Sequence, residues 1–99
     1  MKLKTIIGII DFSPDRKANI ILRHPVMEDD LINLRMVLEK PDEIRFSNYS
    51  NDTLLFYRYF DNIESGKYIV VVVNQAQKEV RTAYLSHRIK IGRKYEEKK

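Results

Sequence analysis

Arg23-His24-Pro25 places a proton shuttle beside a cation that grips phosphate, at a point where the chain is set to reverse. Imidazole exchanges protons near neutral pH, and a guanidinium can hold a phosphate through two parallel hydrogen bonds. These are two parts of a phosphoryl-transfer site. The competing reading is a histidine that caps a helix C-terminus for electrostatic reasons. Thr82 and Tyr84 lie two apart in a strand-like run, so they share one face and offer hydroxyl donors there, while Ala83 and Leu85 turn to the other. Basic residues flank that pair: Arg81, Arg88, Lys90 and Arg93. The plainer account of Thr82 and Tyr84 is β-propensity.

Six tyrosines and four phenylalanines include the run Phe56-Tyr57-Arg58-Tyr59-Phe60. Aromatic rings beside cations can stack RNA bases. A strand with aromatics on both faces must bury some of them, and Tyr57 is the member expected to be exposed. Basic charge is unevenly placed. Residues 78–99 carry eight Lys/Arg against three Glu, whereas residues 1–77 carry ten against eleven acids, so the surplus behind the net charge of +4 is C-terminal. Such a stripe attracts polyanions, RNA above all; a solubilising tail is the alternative. His87 reads as a solvated turn residue.

Several chemistries find no support. With no cysteine there is no thiol nucleophile, disulfide or thiolate zinc site, which agrees with a cytoplasmic protein. His24 and His87 form no metal-ligand spacing, so neither metal nor other cofactor is expected. Gly8, Gly66 and Gly92 are too far apart for a phosphate loop, and no serine sits in a Gly-x-Ser-x-Gly elbow. The longest apolar run, Tyr68 to Val73, is of strand length and does not span a membrane. The basic N-terminus leads through Ile6–Ile10 into Asp11 without a small-residue cleavage site, and reads as structure.

The elements that position these residues follow from the spacing. Residues 4–11 read as a strand with Gly8 at a bulge. Ser13-Pro14-Asp15 is an N-cap, a first-turn proline and an acid, opening a short helix with apolar positions Ala18, Ile21 and Leu22 that ends before Pro25. A second helix takes Glu28, Asp29 and Asp30 at its start, repeats Leu31, Leu34, Val37 and Leu38 on one face, and stops at Pro41. Strands follow over residues 43–48, 53–60, 67–73 and 80–86, joined by turns at Ser65-Gly66 and Asn74–Lys78, as an antiparallel meander. The expectation is an α+β domain over residues 1–92, two N-terminal helices packed on an antiparallel sheet of four to five strands. Residues 93–99 form a basic flexible tail. One sheet face should carry the helices, and the other should be partly open, lined by Tyr57, Tyr59, Thr82 and Tyr84.

Residues 20–25 (IILRHP), 37–44 (VLEKPDEI) and 55–58 (LFYR) are followed by 68–73 (YIVVVV), 82–84 (TAY) and 89–92 (IKIG). In this order and spacing they resemble the phage-associated members of the barnase, EndoU, colicin and RelE-like nuclease superfamily. The resemblance implies a metal-independent endoribonuclease, toxin-like or phage-derived, in which the RNA 2′-hydroxyl attacks the adjacent phosphorus. It implies His24 as general base or acid, Arg23 as phosphate clamp, and Thr82 and Tyr84 as donors to the phosphorane oxygens. Tyr57, Arg81, Arg88, Lys90 and Arg93 would bind RNA. An inhibitor or antitoxin-like protein would be a further partner. Where members of the group often begin the helical motif with histidine, this chain has Asn19, which shuttles no proton. The alternative is a non-enzymatic module that keeps the fold and binds nucleic acid or protein.

Overall fold

In the computed structural model, which describes residues 1–48, 50–89 and Tyr95, the β-branched N-terminal run folds back on itself. It makes a hairpin of β1 (Lys2–Thr5) and β2 (Gly8–Asp11), in register from Lys2↔Asp11 to Thr5↔Gly8. Gly8 takes a φ of 109°, which side-chain-bearing residues rarely adopt. The Thr5 hydroxyl accepts from the Ile7 N–H at 3.1 Å and donates to the Gly8 carbonyl at 2.9 Å, so the turn supplies its own hydrogen bonds. A threonine hydroxyl does here what Asn-Gly does in commoner hairpins.

Helix α1 (Pro14–Arg23) starts as its sequence dictates: the Ser13 Oγ accepts from the Arg16 N–H at 3.1 Å, and Pro14 opens the first turn. Its buried side chain is Ile20, with Ile21 partly covered; Ala18 is exposed and Leu22 is 81% exposed. The expected stripe of Ala18, Ile21 and Leu22 is thus corrected: the side chain turned into the core is Ile20, and of the three only Ile21 is partly covered. Short 3-10 turns follow at Pro25–Met27 and Asp30–Asn33. The second helix is therefore shorter than its sequence pattern: α2 spans Leu34–Glu39, and only Leu34, Val37 and Leu38 of the repeat belong to it, Leu31 being buried from the 3-10 turn.

The remaining strands are β3 (Glu43–Phe46), β4 (Thr53–Phe60), β5 (Lys67–Asn74) and β6 (Glu79–Ser86), an antiparallel meander. The whole sheet has six strands in the order β1-β2-β6-β5-β4-β3, and it is mixed, since β2 meets β6 in parallel at Asp11↔Glu79. The expected antiparallel sheet of four to five strands is thus corrected by the extra hairpin and its parallel contact; the α+β character holds. Among the described residues no helix is long and apolar enough to cross a membrane.

The core lies between the helices and one face of the sheet. Ile69, Val71 and Val73 of β5, Leu54 and Phe56 of β4 and Ala83 of β6 point into it and meet Ile20, Met27, Leu34, Val37 and Leu38. Each such large side chain contributes about 1.5–3 kcal/mol by leaving water. Tyr57 and Val70 are equally buried yet stand outside this cluster, because alternate strand residues face the other side.

Candidate active site

The second face is read row by row from the register. Tyr84, Val70, Tyr57 and Glu43 form one row across β6, β5, β4 and β3; Thr82, Val72, Leu55 and Arg45 form the next; Ser86, Tyr68 and Tyr59 form the row on the other side. Thr82 and Tyr84 therefore share the face opposite the helical core, about 7 Å apart along the strand.

His24 reaches this face from the side. Strand β6 pairs with β2 only at Glu79, so the outer edge beyond it is left to α1 and the 3-10 turn that follows, which pack against it. The helix ends because Pro25 bars its predecessor from helical geometry: His24 has φ −132° and ψ 75°, and its N–H still donates to the Ile20 carbonyl at 2.8 Å. From that fixed backbone the imidazole lies 6.2 Å from the Tyr84 ring, centroid to centroid, with the planes inclined at 40°. Sixty positions of sequence separate them, so the fold makes this contact. Burial pushes the Tyr84 phenol above its usual pKa of 10.0, further from ionisation than a free phenol.

Arg23, next to His24, is exposed and has no ion-pair partner among the described residues. Other predicted residues fare differently. Tyr57 is fully buried, with its ring edge-on to Tyr68 at 6.2 Å, and Val70 beside it in the same row is equally buried; the expectations that Tyr57 is exposed and that it lines an open part of this face are both corrected. The exposed tyrosine of that face is Tyr59, at 46%. Arg81 lies at the irregularity where Thr82 pairs with Val72 but Val80 with Val73, and it holds Glu79 at 3.1 Å. Arg88 is exposed just past β6. Lys90 and Arg93 lie outside the described residues. Tyr95, within the segment read as a tail, donates its N–H to the Ile44 carbonyl at 2.9 Å, and its ring lies 5.6 Å from that of Phe46 with the planes inclined at 53°.

Two features escaped sequence reasoning. Glu43 and Arg45 pair at 3.0 Å on the same face as Tyr84, half-buried; their i, i+2 spacing in a strand was the available signal. They stand three strands from Tyr84, about 14 Å away, too far to share reacting atoms with His24. On the helical side, Val26 and Leu85 border a cleft of about 420 Å³ that contains Asp29, Asp30 and Glu64. Burial first, then the charges of Asp29 and Glu64, raise the Asp30 carboxyl above its ordinary range. The carboxylates there make that side unfavourable for an anion. His87 stands apart, its ring nitrogens 2.9 and 2.8 Å from the Lys67 ammonium. Among the described residues no three His, Asp or Glu side chains gather as metal ligands would.

Comparison with family models, with curated proteins and with solved structures finds no match to this chain.

Proposed function

We propose that this chain is a metal-independent endoribonuclease, toxin-like or phage-derived and related to the barnase and RelE-like nucleases, that cleaves RNA by attack of a 2′-hydroxyl on the neighbouring phosphorus. The observation that carries the reading is the approach of the His24 imidazole to Tyr84, 6.2 Å between ring centroids, across sixty positions of sequence. His24 moves the proton of the attacking hydroxyl or of the leaving oxygen. Tyr84, a phenol and so protonated at neutral pH, donates to the phosphorane oxygens, with Thr82 on the same face. Arg23 supplies a cation with no competing carboxylate among the described residues. Bond changes balance without a co-reactant: the 2′-oxygen bonds to phosphorus, the 5′-oxygen leaves with a proton, and a cyclic phosphate remains.

One observation favours the second reading, a nucleic-acid- or protein-binding module. Asn19 is exposed on α1 and His87 is engaged with Lys67, so a single imidazole serves the site. The experiment that separates the readings is cleavage of a labelled RNA panel with EDTA present, for the wild type, His24→Ala and Arg23→Ala at matched fold content. The nuclease reading expects a cyclic-phosphate product, with a loss of roughly 10²- to 10⁴-fold for His24→Ala. Salt-sensitive RNA binding without cleavage by the wild type would transfer the assignment to the module; neither would leave both readings without support.

A further inference from the structure

Tyr59 is held in place from more than one side. Its ring meets Tyr68 edge-on at 5.3 Å and 69°, and Tyr68 in turn meets the buried Tyr57 at 85°. Its backbone N–H donates to the Asp42 carboxylate at 2.7 Å. Its hydroxyl occupies the space where a Cβ on Gly66 would stand, 1.8 Å from that position. The turn beneath it is strained at two residues that carry side chains, Glu64 and Ser65, with φ of 43° and 65°, and Gly66 follows at 111°, where glycine alone sits without strain. Left-handed residues of this kind cost of the order of 1–3 kcal/mol each and persist where the surroundings impose them. Here the strain coincides with seating one tyrosine ring along the turn while leaving it 46% exposed.

The register puts Tyr59 on the face of Tyr84, two strands across and one row along. Strand geometry makes that about 12 Å, a span that neighbouring nucleotides of one RNA strand bridge. Ser86, opposite Tyr68, stands on the strand of Tyr84 in the row of Tyr59, and Arg88 follows just past the end of that strand. The Ser86 hydroxyl fixes the Arg88 backbone, donating to its carbonyl at 2.7 Å and accepting from its N–H at 3.4 Å. The Arg88 guanidinium has no ion-pair partner among the described residues.

We infer that Tyr59 is the stacking platform for an unpaired RNA base and Arg88 the cation for a neighbouring phosphate, a subsite beside the His24–Tyr84 pair. The choice of ligand rests on the ribonuclease reading. A ring already fixed by Tyr68 and Gly66 loses little freedom when a base covers it, which is what makes such a platform effective.

The test uses 2′-O-methyl oligouridylate and oligoadenylate, which lack the attacking hydroxyl, so binding is read apart from cleavage by fluorescence anisotropy. Tyr59→Ala should weaken binding of both by about 5- to 150-fold, and Tyr59→Phe should stay within about threefold of wild type. Tyr59→Leu, which keeps apolar packing on Tyr68, should lose as Ala does and guards against a variant that merely unfolds. Arg88→Gln should reduce the slope of log affinity against log salt by about 0.7. Wild-type affinity within twofold for both Tyr59→Ala and Tyr59→Leu overturns the inference. If the wild type cleaves ordinary RNA while the Tyr59 variants bind and cleave as it does, the subsite fails and the nuclease reading stands. If the wild type neither binds the capped oligonucleotides nor cleaves, both fall.

Discussion

Replacing Gly66 by alanine tests whether the strained turn and the Tyr59 ring form one unit. Two costs add. The first is backbone: alanine at a φ of 111° is held where its Cβ is disfavoured, about 1–3 kcal/mol. The second is steric: the new Cβ would stand 1.8 Å from the Tyr59 hydroxyl oxygen and 2.8 Å from Cζ, so the ring must swing away from Tyr68. Losing that edge-on pair costs about 0.5–1.5 kcal/mol. Gly66→Ala should therefore destabilise by about 1.5–4.5 kcal/mol, and by only the backbone part, about 1–3 kcal/mol, when Tyr59 is already alanine. Urea unfolding of wild type, both single variants and the double variant yields the coupling directly, expected near 0.5–1.5 kcal/mol with the double variant more stable than the sum of the singles. At roughly 4–8 °C per kcal/mol for a domain of this size, the single variant also melts at least about 6 °C below wild type. Equal costs of Gly66→Ala in the two backgrounds would refute the steric half of the reasoning, and with it the idea that the turn seats the ring.

Ser13→Ala removes the acceptor for the Arg16 N–H and should cost about 1 kcal/mol by urea unfolding, with Ser13→Asp near wild type. Asp30 has a pKa raised by the fold, so its ionised form opposes folding: its contribution is most unfavourable above the folded pKa and disappears as pH falls below the unfolded value of 3.8. Asp30→Asn should accordingly melt above wild type at pH 7 and with it near pH 3, and a difference that persists unchanged at pH 3 would contradict the charge explanation.

Much of this architecture is legible because single residues carry it. Ser13-Pro14 announces a helix start and Pro25 its end; the unbroken Tyr68–Val73 run announces a strand covered on both sides, and β5 sits between β4 and β6 with Ile69, Val70, Val71 and Val73 fully buried. Alternation places Thr82 with Tyr84 on the face opposite Ala83, as the rows of the sheet have it. What the sequence hides is non-local. The β1–β2 turn uses Ile6-Ile7, residues that favour strands, and is fixed by a threonine side chain. The run Glu28–Leu38 has one apolar periodicity but divides into a 3-10 turn and a short α-helix, because Asn33 and the neighbouring acids weaken its first half. The exposure of Tyr59 in place of Tyr57 depends on how far each lies from the strand end, which alternation alone does not distinguish.

Under the proposed ribonuclease reading, the role assigned to Tyr84 rests on its proton. Burial moves the phenol away from giving up its proton and leaves it a hydrogen-bond donor to an oxygen that gains charge, which favours the donor role over that of general acid. If it steadies the phosphorane oxygens, its worth does not depend on the leaving group. An RNA with sulfur in place of the bridging 5′-oxygen departs without needing protonation. Tyr84→Phe should then lose roughly 10²- to 10³-fold on both the oxygen and the sulfur substrate in single-turnover cleavage, by analogy with the removal of one oxyanion donor. His24 responds according to its role: the loss in His24→Ala persists on the sulfur substrate if the imidazole takes the 2′-proton, and is largely recovered if it protonates the leaving oxygen. Recovery of Tyr84→Phe on the sulfur substrate would reverse the assignment and make the phenol the acid, against the direction in which burial moves it.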